Sequence, residues 1–139
     1  MAAKIKVMLD LNIILDVLQQ RQPFYNASAR VLDHAETGTV QAYIAAHLLT
    51  TLFYLIAKGE SAAEARVALT NLMQFCSVAA IDQSTVEQAL NLPYQDFEDA
   101  VQMMAAVQCK VDYLVTRNIK DFQPTAVPVI QPAELIALL

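Results

Sequence analysis

Three short segments of this chain gather carboxylates and amides at spacings that serve chemistry. The first is Asp10-Leu11-Asn12, with Asp16 one helical turn further on. The second is Asp96-Phe97-Glu98-Asp99, and the third is Thr116-Arg117-Asn118-Ile119-Lys120-Asp121. Carboxylates clustered in a half-buried cleft repel one another, so they must hold a proton or share a cation. Oxygen-only donors suit Mg²⁺ or Mn²⁺ rather than zinc. A cation of that kind activates water, polarises a phosphoryl oxygen and clamps the attacking and leaving oxygens. This is the chemistry of phosphodiester hydrolysis without a covalent enzyme intermediate.

Each of these residues also has an ordinary reading. Asp10 directly follows an apolar run and fits a turn or helix N-cap. Asp16 fits the solvated face of a helix. Asp96 is the expected N-cap of its helix, and Asp99, three positions on, can complete a capping box or favour the positive helix end. Glu98 projects in another direction and fits solvent, while Asp121 fits a plain loop. Arg117 and Lys120 border the same region and are candidates for phosphate oxygens or for ordinary surface. His34 and His47 have no ligand-like spacing and read as structural.

The elements that must bring these segments together are legible from periodicity. Ile5 to Leu9 is an apolar run suited to a central parallel strand. Further strands are expected at Val40–Ala45, Ser77–Ile81 and Asp112–Thr116, with a proline-flanked edge strand at Val127–Ile130. Helices are expected from Asn12 to about Leu18, Phe24–Thr37, Ala46–Lys58, Ser61–Phe75, Ser84–Leu90, Asp96–Lys110 and Ala133–Leu139. Gly38 is a candidate C-cap, and Ser61 with Glu64 has capping-box spacing. Strands alternating with helices predict an α/β domain, a parallel sheet with helices on both faces. Sites in such sheets form outside the carboxyl ends of the strands, where the first and third segments lie. With no linker or repeat, residues 1–139 are expected to form one domain.

Composition narrows the functional classes. The 139 residues are 56% hydrophobic and only 17% charged, which predicts a large core or an apolar surface buried against a partner. No stretch has the roughly 18 uninterrupted apolar residues needed to span a bilayer. The run beginning at Met1 is too short for a signal peptide. Cys76 and Cys109 lack CxxC or CxxH companions, so reduced packing cysteines and a cytoplasmic location are expected. A net charge of −5 argues against a protein that coats nucleic acid, but cations held by an acidic site can themselves face phosphate. The five tyrosines do not interleave with basic residues, so no base-stacking platform is indicated.

Taken together, the motifs resemble the PIN-domain family of metal-dependent ribonucleases. Asp10-Leu11-Asn12-Ile13-Ile14-Leu15-Asp16 resembles its opening motif. Asp96-Phe97-Glu98-Asp99-Ala100 with Ala105-Ala106 resembles its Asp-then-Ala-rich helix, and Leu114 to Phe122 resembles its final strand and Thr-Arg-Asp/Asn loop. The resemblance covers nearly the whole chain. It implies a three-layer fold with a short parallel sheet of about five strands, and Mg²⁺- or Mn²⁺-dependent cleavage of RNA as an endoribonuclease. It also implies metal ligands at Asp10 and Asp99, with Asn12 and Thr116 orienting ligands or water. Many members of this size resemble the toxin of a toxin–antitoxin pair and form homodimers, so an antitoxin and a second copy are expected partners.

Two departures from the family pattern stand out. The family commonly carries a Glu on the helix after the second strand, where Thr50-Thr51-Leu52-Phe53 has no acid and Phe53 occupies the expected place. The last acidic position is filled by Asn118, a neutral oxygen, with Asp121 or Glu98 as candidates to compensate. These departures favour a competing reading, a degenerate domain that binds protein or RNA without cutting. A phosphatase of the haloacid-dehalogenase class is disfavoured because Asn12 fills the second Asp of Asp-x-Asp. A dinucleotide-binding fold is disfavoured by the absence of GxGxxG.

Overall fold

The computed structural model describes residues 4–139, so Met1–Ala3 of the N-terminal run lie outside the described residues. Five strands alternate with seven helices: β1 (Ile5–Leu9), α1 (Leu11–Leu18), α2 (Tyr25–Glu36), β2 (Val40–Ala45), α3 (Ala46–Gly59), α4 (Ala62–Leu72), β3 (Cys76–Ala79), α5 (Gln83–Ala89), α6 (Phe97–Cys109), β4 (Tyr113–Val115), β5 (Val129–Ile130) and α7 (Pro132–Leu138). All strand pairs are parallel, in the order β3-β2-β1-β4-β5. From β1 the chain steps outward through β2 to β3, then crosses back over β1 to β4. Right-handed crossovers in opposite directions place their helices on opposite faces. The α/β fold is therefore the three-layer arrangement expected, with helices on both faces of a five-stranded sheet.

Parallel register explains where the shorter strands end. Cys76–Ala79 pairs with Ala42–Ala45, so β3 stops where β2 stops, before the expected Ile81. Likewise β4 meets only Val7–Leu9 of β1, and β5 meets only Leu114 and Val115 of β4. Ser61 caps α4 by accepting from the Glu64 N–H at 3.1 Å, and Gly38 lies just beyond α2 at φ 83°, where a side chain would be strained. A 3-10 turn at Ile119–Asp121 was not expected from periodicity, since three residues carry none.

The core runs along both faces of the central strands. Val7, Met8 and Leu9 of β1, Ile13 and Ile14 of α1, Ile44 of β2, Leu48 and Leu52 of α3, and Met103 of α6 are all buried within it. The high apolar content is thus largely core, though Tyr54, Val67, Leu90, Phe97 and Leu138 remain exposed. Cys76 and Cys109 are both free. Burial pushes the Cys76 thiol up to about 12, which suits an inert packing residue. Among the described residues no helix is long and apolar enough to cross a membrane.

Candidate active site

The strand order reverses between β1 and β4, and the crevice at such a switch point is where an open α/β sheet holds ligands. Asp10 follows β1 and Thr116 follows β4, so backbone topology alone sets them side by side. Their contact is direct: the Thr116 hydroxyl donates to Asp10 Oδ2 at 2.7 Å. Asp10 Oδ1 accepts from the Leu11 N–H at 2.8 Å, capping α1, and Asn12 Nδ2 approaches Oδ2 at 3.3 Å. Cap and site residue are therefore one side chain. Thr116 Oγ1 also accepts from the Asn118 N–H at 3.0 Å and from Asn12 Nδ2 at 3.4 Å. Burial raises the Asp10 pKa; the bonds from Thr116 and Leu11 oppose that rise, and the nearby Asp121 charge adds to it.

Helix α6 supplies the facing acid. Asp96 caps it by accepting from the Glu98 N–H at 2.9 Å, which puts Asp99 in the first turn. A cleft of about 360 Å³ opens there, lined by Pro93, Gln95, Asp96, Asp99, Lys120, Asp121 and Gln123. Burial pushes Asp99 up to about 7, and the charges of Asp96, Asp10, Asp121 and Glu98 push the same way. Asp10, Asp99 and Asp121 thus come from three separate segments and feel one another's charge. Even so, among the described residues no three His, Cys, Asp or Glu side chains converge tightly enough to form a ready cage. Mg²⁺ does not require one, because it keeps several waters and is held by one or two carboxylates. The donor set fits such a hydrated, hard cation.

This electrostatic strain carries a stability signature. Asp99 is normally acidic at 3.8 and rises to about 7 in the fold, so the folded state binds the proton more tightly than the unfolded chain. The resulting stability is full below about pH 4 and is lost as pH rises through 7. After discounting for solvent screening of a half-buried group, the loss is roughly 1–2 kcal/mol. In chelator, the wild type should melt higher at about pH 5 than at pH 8, and Asp99→Asn should flatten the difference. A pH-independent gap between the two proteins would contradict the strain.

Other expected site residues sit elsewhere. Asp16 is fully buried, not on a solvated face, and forms a bidentate pair with Arg117: Nε to Oδ2 at 2.8 Å and Nη2 to Oδ1 at 3.1 Å. Ser28 of α2 donates to the same Oδ2, and the Phe24 ring stacks under the guanidinium with its centroid 3.8 Å from Cζ. Arg117 is thus engaged by Asp16, leaving Lys120 as the cation lining the cleft. Asn118 offers its backbone N–H to Thr116, while its exposed side chain makes no hydrogen bond.

The missing α3 acid is placed differently as well. Thr51, not Phe53, faces the start of α6, its hydroxyl 3.4 Å from Glu98 Oε2. Phe53, 200° further round the helix, packs toward the core with Arg66 of α4 over its ring. His47 Nε2 donates to the Glu98 carbonyl at 2.9 Å. Glu98 is therefore held by α3 and contributes its negative charge beside Asp99. Sequence reading passed over Gln102, a fully buried amide one turn behind Asp99. Its signal was a polar residue inside the apolar run Ala100–Ala106.

Comparison with known proteins follows the same lines. No curated protein matches the chain. Among solved structures, it is similar to a toxin–antitoxin complex from Klebsiella pneumoniae, with 22% identity, a TM-score of 0.69, and coverage of 91% of this chain and 97% of that one. VapBC2 from Rickettsia felis, bound to a DNA fragment from its promoter, gives 17% identity, a TM-score of 0.67 and coverage of 91% and 98%. VapC20 of Mycobacterium tuberculosis, a toxin that cleaves the sarcin–ricin loop, gives 12% identity, a TM-score of 0.61 and coverage of 78% and 86%. At these identities the likeness establishes a shared fold. The PIN domain family model matches residues 6–120, a span that includes Asp10, Asp99 and Thr116, and the chain therefore belongs to the PIN-domain family.

Proposed function

We propose that this chain is a Mg²⁺- or Mn²⁺-dependent endoribonuclease and the toxin of a toxin–antitoxin pair. The observation that supports it most is that Asp10, Asp99 and Asp121 come from three segments to the switch point, where burial first, and then the charges of Asp96, Asp10, Asp121 and Glu98, raise Asp99 to about 7. Asp10 and Asp99 hold the cation, with Asp121, Glu98 and the neutral oxygen of Asn118 as its further acidic and amide surroundings. When bound, the cation lowers the pKa of water and stabilises charge on the phosphoryl group.

The chain's own residues do the rest. Thr116, Leu11 and Asn12 donate to Asp10 and fix its orientation, a support that metal-binding carboxylates commonly need. Lys120 at the cleft meets the RNA phosphate as a point charge. Arg117 acts at one remove: anchored on Asp16, it steadies the turn that carries Thr116 and Asp121. Cleavage of RNA should stop when EDTA removes the cation and resume when Mn²⁺ is restored. Cleavage that persists in EDTA would sink the metal-dependent reading.

A second reading, a binding module without cleavage, draws support from Thr51, which puts a hydroxyl rather than a carboxylate on the site face of α3. It predicts RNA retention without products under any cation. For partners, an antitoxin and a second copy of the chain are supported by exposed apolar residues. Leu18 and Val67 line a hollow of about 610 Å³ between α1, α3 and α4, and Leu138 and Leu139 lie at the end of the chain. Two free cysteines suit the reducing cytoplasm.

A further inference from the structure

Helix α6 buries one polar side chain among Ala100, Val101, Met103, Met104, Ala105 and Ala106. Gln102 is 0% exposed, and among the described residues neither its Nε2 nor its Oε1 has a hydrogen-bond partner. Buried amides are nearly always paired, and an unpaired one opposes folding. An apolar residue of the same size would pack there without that cost, so stability does not account for the amide.

Its position does. Residues three apart share a helix face, so Gln102 lies one turn deeper than Asp99, on the side that faces the site. Its carboxamide comes near enough to Asp10 to favour the ionised carboxylate, yet falls outside hydrogen-bond geometry. A second buried acceptor, Asn12 Oδ1, is also unpaired, and the Nδ2 of that residue already approaches Asp10. The two amides that come near this one carboxylate thus each carry an orphaned carbonyl oxygen. A hard divalent cation that keeps its waters brings outward-pointing O–H donors, the partner such oxygens lack.

We infer that Gln102 and Asn12 are positioning residues that accept hydrogen bonds from the hydration shell of the cation at Asp10 and Asp99. The inference rests on the metal-site reading above; it adds one neutral residue, Gln102, and gives the carbonyl of Asn12 a part beside its Nδ2. Gln102 therefore trades fold stability for cation affinity.

The test is Mn²⁺ titration by calorimetry, with melting curves in chelator, on wild type, Gln102→Leu, Gln102→Met and Gln102→Glu. Both apolar variants should melt at or above the wild-type temperature without metal, yet bind Mn²⁺ about 10–100-fold more weakly. Gln102→Glu keeps an acceptor of the same length and should retain binding. Wild-type affinity in the apolar variants would overturn the role of Gln102 while leaving the metal site standing. So would equal loss in Gln102→Glu, which would mark a packing role. Absence of Mn²⁺ binding by the wild type itself would overturn both. The Met variant tests the inference should the Leu variant fail to fold.

Discussion

Asp10→Asn should reduce RNA cleavage by at least about 100-fold while leaving the fold intact. Loss of outer partners of a metal site already costs about 10–100-fold, and loss of a ligand charge should cost more. The fold survives because Asn caps helices as well as Asp does: its one carbonyl oxygen can still accept from the Leu11 N–H, while its Nδ2 takes the place of the oxygen beside Thr116 and can donate to that hydroxyl. Neutralising Asp10 also removes a buried carboxylate whose charged form desolvation and the Asp121 charge disfavour. Asp10→Ala separates the two roles, because it removes the cap as well and should lower stability by about 1 kcal/mol. Product formation on a gel, beside melting curves for each variant, measures both. Full activity in Asp10→Asn would reduce Asp10 to a cap.

Arg117→Ala should be the most damaging substitution for stability, at about 3–5 kcal/mol. The Asp16 side chain is 0% exposed, and Arg117 is its sole ion-pair partner among the described residues. Removing the guanidinium leaves that carboxylate buried with only Ser28 donating and strips the cation stacked on Phe24. Replacing both partners together, as Asp16→Leu with Arg117→Met, should cost less than Arg117→Ala alone, since no charge is then stranded. Urea unfolding of the three variants measures this. A loss below about 1 kcal/mol in Arg117→Ala would show that the pair behaves as a surface ion pair.

What sequence could and could not reveal divides along physical lines. Strand β1 and helices α1 and α6 were legible because apolar periodicity is local, and Asp10 because the rule for carboxyl ends of strands needs only the strand. Asp99 was legible as the acid one turn into a capped helix. The Asp16–Arg117 pair was not, because its partners lie 101 residues apart and each alone looks like surface. Placing the α3 position required the rotation of that helix against α6; spacing from the strand pointed to Phe53, and the fold presents Thr51. The 3-10 turn that carries Asp121 toward the cleft is set by the Thr116 and Asn118 contacts rather than by any periodic pattern. Gln102 left a visible trace, one amide in an apolar helix, whose meaning depends on the proximity of Asp10.

Cation binding at the switch point is tested most directly by Mn²⁺ calorimetry at near-neutral pH and fixed ionic strength, on the wild type and Asp99→Asn. Saturable binding by the wild type that disappears in the variant is the expected result, since Asp99 is the acid whose charge the other four carboxylates oppose. Equal binding by the two proteins, or none by a folded wild type, would contradict a cation site built on Asp99.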